Sequence, residues 1–127
     1  MAPHLQATLC IDALEMAALH RRPTAELIHH SDRGVQYCCD DYQQKLEEFG
    51  LTVSMSGKGD CYDNAPMESF WGTLKQELVY LQPDGRFESH AHARRMIFEY
   101  IEVFYNRKRR HSALGYLSPE AFEASLN

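Results

Sequence analysis

Along the chain, apolar residues mostly return every three or four positions, and in two short stretches every second one. Ala7, Cys10, Ile11, Leu14, Ala17 and Ala18 fall near helical spacing and Pro23 follows, which predicts a first helix over residues 4–22. Leu27-Ile28-His29-His30-Ser31 reads as a short strand that delivers Asp32 to its C-terminal end, and Arg33 to Tyr37 turn away from it. Asp40 is placed to cap a second helix with Tyr42, Leu46 and Phe49 on one side, and Gly50 is its stop. Leu51, Val53 and Met55 then alternate with Thr52, Ser54 and Ser56, the pattern of a strand with one polar face.

Gly57-Lys58-Gly59-Asp60 reads as a flexible loop. Asp63 or Asn64 then caps a long helix in which Pro66 is tolerated in the first turn. Its apolar stripe is Met67, Phe70, Trp71, Leu74, Leu78 and Leu81, and Asn64, Glu68, Gly72 and Lys75 lie to one side of that stripe. Pro83-Asp84-Gly85 breaks the chain, and Ser89 caps a further helix to about Tyr105 with Ala93, Ile97, Ile101 and Phe104 inward. After the run Asn106-Arg107-Lys108-Arg109-Arg110-His111, Ser118-Pro119 starts a last short helix from which Ala121 and Phe122 pack back. The expected class is α/β, with two strands and about five helices.

Composition narrows this. At 127 residues with 44% hydrophobic content the chain is one small domain, or part of one, with enough apolar mass for a core. No apolar run approaches the ~20 residues of a membrane span, and no basic, signal-like start precedes the first helical pattern. A cytoplasmic protein is expected. Cys10, Cys38, Cys39 and Cys61 include no Cys-x-x-Cys pair and make a poor disulfide frame, so free thiols are expected. The net charge of −5 is unevenly spread. Residues 1–85 carry 6 basic and 13 acidic side chains, residues 86–111 carry 7 and 3, and the last sixteen add two acids. The overall balance argues against a dedicated nucleic-acid binder, while the basic segment permits local phosphate contact.

Two carboxylates stand where chemistry can use them. Asp32 follows a strand, where ligands bind in open α/β sheets. Glu68 falls in the first turn of a helix, with 35 residues between it and Asp32, and Lys75 follows it by seven. At about 100° per residue, positions seven apart return to within roughly 20° of one another, about 10 Å along the axis. A metal-binding oxygen and a phosphate-seeking cation on one helix face is the layout of a phosphodiester-cutting site. Each residue also has a plainer reading: Asp32 as a turn residue, Glu68 as an acid favoured by the helix dipole, Lys75 as a solvated lysine, Asn64 as a cap and the basic run as a solvated helix end. His29-His30 and His90-x-His92 lack a third ligand at zinc-like spacing.

Taken together, His30-Ser31-Asp32-Arg33-Gly34-x-Gln36-Tyr37, Ser54-x-Ser56, Gly59-x-Cys61-Tyr62-Asp63-Asn64-Ala65-x-x-Glu68-Ser69-Phe70, Leu74-Lys75-x-Glu77 and Tyr105-Asn106-x-x-Arg109-x-His111-x-x-Leu114-Gly115-Tyr116-x-Ser118-Pro119 cover nearly the whole chain. In this order and spacing the chain resembles the C-terminal part of the integrase catalytic core of bacterial insertion-sequence transposases, relatives of retroviral integrases. The resemblance implies a ribonuclease-H-like sheet on which two aspartates and a glutamate hold two Mg²⁺ or Mn²⁺ ions, with Asp32 as the second aspartate and Glu68 as the glutamate. It also implies DNA as partner, with Asn64, Lys75, Arg107, Lys108, Arg109 and Arg110 as contacts, and self-association or association with an intact transposase. The family's first aspartate belongs to an opening strand that this sequence lacks, and Asp12 falls mid-helix. The expectation is therefore a single partial core over 1–127, with 86–127 a helical extension, two remaining parallel strands and no strand transfer by this chain alone. The alternative is a non-catalytic remnant that binds intact transposase or DNA.

Overall fold

A computed structural model describes residues 7–24, 26–57 and 62–126, with the side chain of residue 62 excepted. The expected helix start at residue 4, the loop at 58–60 and Cys61 lie outside the described residues. Those described fall into two compact units, one up to Ser69 and one from Phe70 onward.

In the first unit, α1 (Ala7–Arg21) buries Leu14 and Ala18 and packs Cys10 and Ile11 beside them, while Ala17 stays exposed. Arg22 takes a positive φ of 45°, out of the helix, and Pro23 follows. Strand β1 (Ile28–Ser31) lies parallel to β2 (Thr52–Met55), with Ile28 opposite Thr52 and Ser31 opposite Met55. Two further backbone bonds extend the ladder at its ends, from Thr52 N–H to Leu27 and from Ser56 N–H to Ser31. Between the strands run a single turn, α2 (Val35–Cys38), and α3 (Asp40–Glu48). The sequence pattern predicts no helical turn at α2. Cys39, not Asp40, is the N-cap of α3, and Asp40 and Asp41 instead supply negative charge to its first turn. Gly50 ends the segment at φ +69°, a conformation that glycine adopts without cost.

The core of this unit is Leu14, Tyr42, Leu46 and Leu51, with Tyr37 and Phe49 against it, and Leu46 is fully buried. Lys45 ties α3 to α1 through Glu15 at 2.8 Å and also reaches Glu48 at 3.3 Å. The alternation expected in β2 holds only in part, since Val53 is exposed and Ser56 is buried. Ser56 is drawn in because its backbone N–H and C=O are both bonded, to Ser31 and to Arg33.

Helix α4 (Ala65–Leu74) passes from the first unit into the second and continues as a π-helical turn, Lys75–Val79. Helix α5 (His90–Glu99) likewise continues as a π-helical segment, Tyr100–Tyr105. Ser89 caps α5 as its sequence predicts, its hydroxyl accepting from His92 N–H. The second core joins Leu74 and Leu78 to Tyr100, with Phe70, Phe87, Ile97, Ile101 and Tyr105 around them. Here the inward row differs from the expected one. Tyr100, at ordinary helical spacing from Ala93 and Ile97, is buried, and Phe104, inside the π-helical segment where Asn106 N–H bonds the Ile101 carbonyl, is exposed. Similarly, Leu81 and Trp71 of the predicted α4 stripe are exposed. His111 bridges antiparallel to Leu117 across a turn in which Gly115 and Tyr116 have positive φ, and the Ser118 hydroxyl caps α6 (Pro119–Ser125).

No helix among the described residues is long and apolar enough to cross a membrane. Cys10, Cys38 and Cys39 are free thiols, as expected.

Candidate active site at the end of the first strand

Asp32 is the first residue past β1, exposed, and held by its own turn: the Gly34 N–H donates to Oδ1 at 2.8 Å. This is the local bond that aspartate offers a chain leaving a strand. A Cβ at position 34 would stand 2.9 Å from Asp32 Oδ1 and 3.0 Å from Gln36 Oε1, so a larger residue there would displace these two side-chain ends. Burial holds the Tyr37 hydroxyl above its ordinary pKa, with Cys10 and then the Asp32 charge adding to the effect.

Glu68 lies in the first turn of α4 and is exposed. Among the described residues its side chain has no hydrogen bond or ion pair. Asn64 closes the short 3-10 turn Tyr62–Asn64 that leads into α4 and is half-buried. Asp63, one of the two residues expected as helix cap, uses its carboxylate otherwise: Oδ2 accepts from Gly57 N–H at 2.8 Å. On the strand side, Arg33 Nε donates to the Ser56 carbonyl at 2.9 Å. Sequence reasoning does not find these bonds; their one signal is that Arg33, Ser56 and Asp63 belong to the same recurring motifs as Asp32 and Glu68.

Lys75 opens the π-helical turn and is exposed. The basic run divides. Lys108 and Arg110 are exposed, and Arg107 pairs with Glu120 at 3.5 Å in the open, where such a pair is weak. Arg109 is different. Its Nε donates to both Glu77 oxygens, at 3.0 and 2.7 Å, and the Tyr100 hydroxyl donates to Glu77 Oε2 at 3.0 Å. The Glu77 carboxylate raises the Arg109 pKa, and burial followed by the bond to Glu77 pushes Tyr100 up to about 12.

His29, His30 and His92 have partners of their own. His29 Nε2 and the Tyr42 hydroxyl are 2.8 Å apart, and burial lowers the His29 pKa. His30 Nδ1 meets Ser54 Oγ at 3.0 Å, and His92 Nδ1 accepts from Glu88 N–H.

Asp32 and Glu68 have the hard oxygen donors that Mg²⁺ prefers. They are two carboxylates, however, and among the described residues no group of three or more His, Cys, Asp or Glu side chains is arranged to hold a metal ion. The residues described fit the donor type of a divalent-metal site without completing the donor set.

Comparison with known proteins assigns the architecture. One integrase core domain model matches residues 49–119 and a second matches residues 1–61. The chain belongs to the integrase core domain family. Its two parallel strands and surrounding helices are thus part of a ribonuclease-H-like α/β fold. A 31 kDa protein of insertion element IS600 from Shigella sonnei is 56% identical over 122 residues, 96% of this chain and 44% of its own length. The transposase InsF of insertion sequence IS3A from Escherichia coli K12 is 49% identical over 123 residues, 97% of this chain and 42% of its own. This integrase core sequence spans less than half the length of these curated relatives.

Proposed function

We propose that this chain forms part of the catalytic core of an insertion-element transposase, which cuts and joins DNA by metal-dependent phosphodiester chemistry, and that Asp32 and Glu68 are two of its metal-holding carboxylates. The supporting observation is the placement of Asp32 at the exit of β1 and Glu68 in the first turn of α4, in a chain 49% identical to a transposase. Asp32 and Glu68 would help hold divalent Mg²⁺ or Mn²⁺, which would supply Lewis-acid stabilisation of the charge that develops during displacement at phosphorus. The chain's own residues do the rest. Gly34 N–H fixes one Asp32 oxygen and so orients the other. Asn64 and Lys75 contact the DNA backbone, and Lys108, Arg110 and Arg107 add phosphate contacts. Arg109 has its Nε on Glu77 and is assigned a structural share in this set. The partners are element-end and target DNA and further copies of the transposase, and the proposed place of action is the bacterial cytoplasm.

The test fuses this chain to the N-terminal segment of InsF and assays strand joining on element-end DNA with Mg²⁺ or Mn²⁺. Asp32→Asn and Glu68→Gln should each abolish joining, because each removes charge from the metal site. Lys75→Ala should instead weaken DNA binding and reduce its salt slope by about 1, as one lost phosphate contact does. Normal joining with Glu68→Gln refutes the assignment. A chain that binds intact transposase or DNA while no fusion joins strands supports the non-catalytic alternative.

A further inference from the structure

Ser56 and Gly57, just past β2, are held on two sides. Ser56 N–H donates to the Ser31 carbonyl at 2.9 Å, next to Asp32. Ser56 C=O accepts from Arg33 Nε at 2.9 Å, on the other side of Asp32. Gly57 N–H then donates to Asp63 Oδ2 at 2.8 Å, on the short turn that runs into α4 and Glu68. The residues flanking one carboxylate and the turn leading to the other thus grip the same two-residue segment. Ser56 is only 4% exposed, so its carbonyl would lose a bond with little water to replace it.

We propose that Arg33 and Asp63 are positioning residues that, through Ser56 and Gly57, set the spacing of the Asp32 and Glu68 carboxylates. The inference rests on the transposase reading above for what the spacing serves. Charge explains the residue types. A guanidinium Nε gives a charge-assisted bond to a carbonyl, and a carboxylate gives one to a backbone N–H; both are shorter and stronger than neutral bonds. Held groups around a metal site typically govern its affinity by about 10–100-fold.

The experiment uses the full chain, with Mn²⁺ as probe, followed by water-proton relaxation and by ¹⁵N amide spectra. In Asp63→Ala and Arg33→Ala, Mn²⁺ affinity should fall about tenfold or more. In Asp63→Asn, whose amide oxygen still accepts from Gly57, most of the affinity should return. Leu46→Ala, which destabilises the core away from these bonds, should leave Mn²⁺ affinity unchanged in the folded state. If Asp63→Asn loses as much as Asp63→Ala, Asp63 acts as a metal ligand and the proposal fails. If Leu46→Ala loses affinity in step with its stability, the effect is general and the proposal fails too. A chain whose Mn²⁺ binding ignores both Asp32→Asn and Glu68→Gln overturns the transposase reading instead. The spacing is then read without metal: Asp63→Ala should shift the Gly34 amide resonance, which reports the Asp32 carboxylate. An unmoved Gly34 signal overturns the positioning role.

Discussion

Replacing Glu77 should cost more than a surface ion pair allows. Glu77 and Arg109 side chains are 32% and 28% accessible, and Glu77 also accepts from Tyr100, a residue 8% exposed. An exposed pair is worth roughly 0.2–1 kcal/mol, whereas removing one partner of a fully buried pair costs about 3–5 kcal/mol. The accessibilities place this pair between those limits. Glu77→Ala leaves a guanidinium and a buried hydroxyl without their acceptor, for a loss of about 1–3 kcal/mol. Glu77→Gln keeps an acceptor for Tyr100 and should lose less. With a urea slope of about 1–2 kcal/mol/M, a loss of about 2 kcal/mol lowers the midpoint by about 1–2 M. The assay is urea unfolding followed by the fluorescence of Trp71, the single tryptophan, whose ring stands 5.1 Å from Phe70 at the edge of the second core. A double-mutant cycle with Arg109→Ala should give a coupling of about 1–2 kcal/mol. A coupling below about 0.3 kcal/mol, within the error of additivity, would refute the claim that Arg109 is held by Glu77.

Leu46→Ala should destabilise the first unit by about 2–5 kcal/mol, since Leu46 is fully enclosed among Leu14, Tyr42 and Leu51; unchanged urea unfolding would count against that core. Stability should also fall in alkali. Burial, reinforced by Tyr37 and Cys10, pushes Tyr42 to about 12, as burial and Glu77 do Tyr100. Folded pKa values above the unfolded value of 10 favour the neutral hydroxyls, so this stability is full below pH 10 and lost as pH rises toward about 12. His29 and His111 work in the opposite direction: burial lowers both, so their contribution is present above pH 6.5 and lost as pH falls through the lowered values. Urea midpoints followed across pH, with Tyr42→Phe flattening the alkaline limb, check both signs.

Much of this protein is legible in its sequence because the deciding interactions are local. The Ser89 and Ser118-Pro119 caps and the Gly50 stop each depend on residues within one turn, and all three stand where the sequence pattern predicts them. The exit of Asp32 from β1 depends on four apolar and polar positions before it and on a bond two residues ahead. Membership of the integrase core family follows from motifs spaced along the whole chain. What the tertiary structure decides involves groups far apart in sequence or helical geometry that no local pattern prescribes. The π-helical segments at Lys75–Val79 and Tyr100–Tyr105 have poorer intrinsic bonding than an α-helix. They occur where Leu78, Tyr100 and Tyr105 meet in one core, in which Tyr100 is buried while Phe104 stays exposed. Arg109 looks like its neighbours in a basic run until Glu77, 32 residues earlier, comes within 2.7 Å of it. Asp63 has the residue type of a cap, yet the nearby Gly57 N–H takes its carboxylate. A periodicity can say which side of a helix is apolar; which polar group meets which depends on the backbone positions that packing has already set.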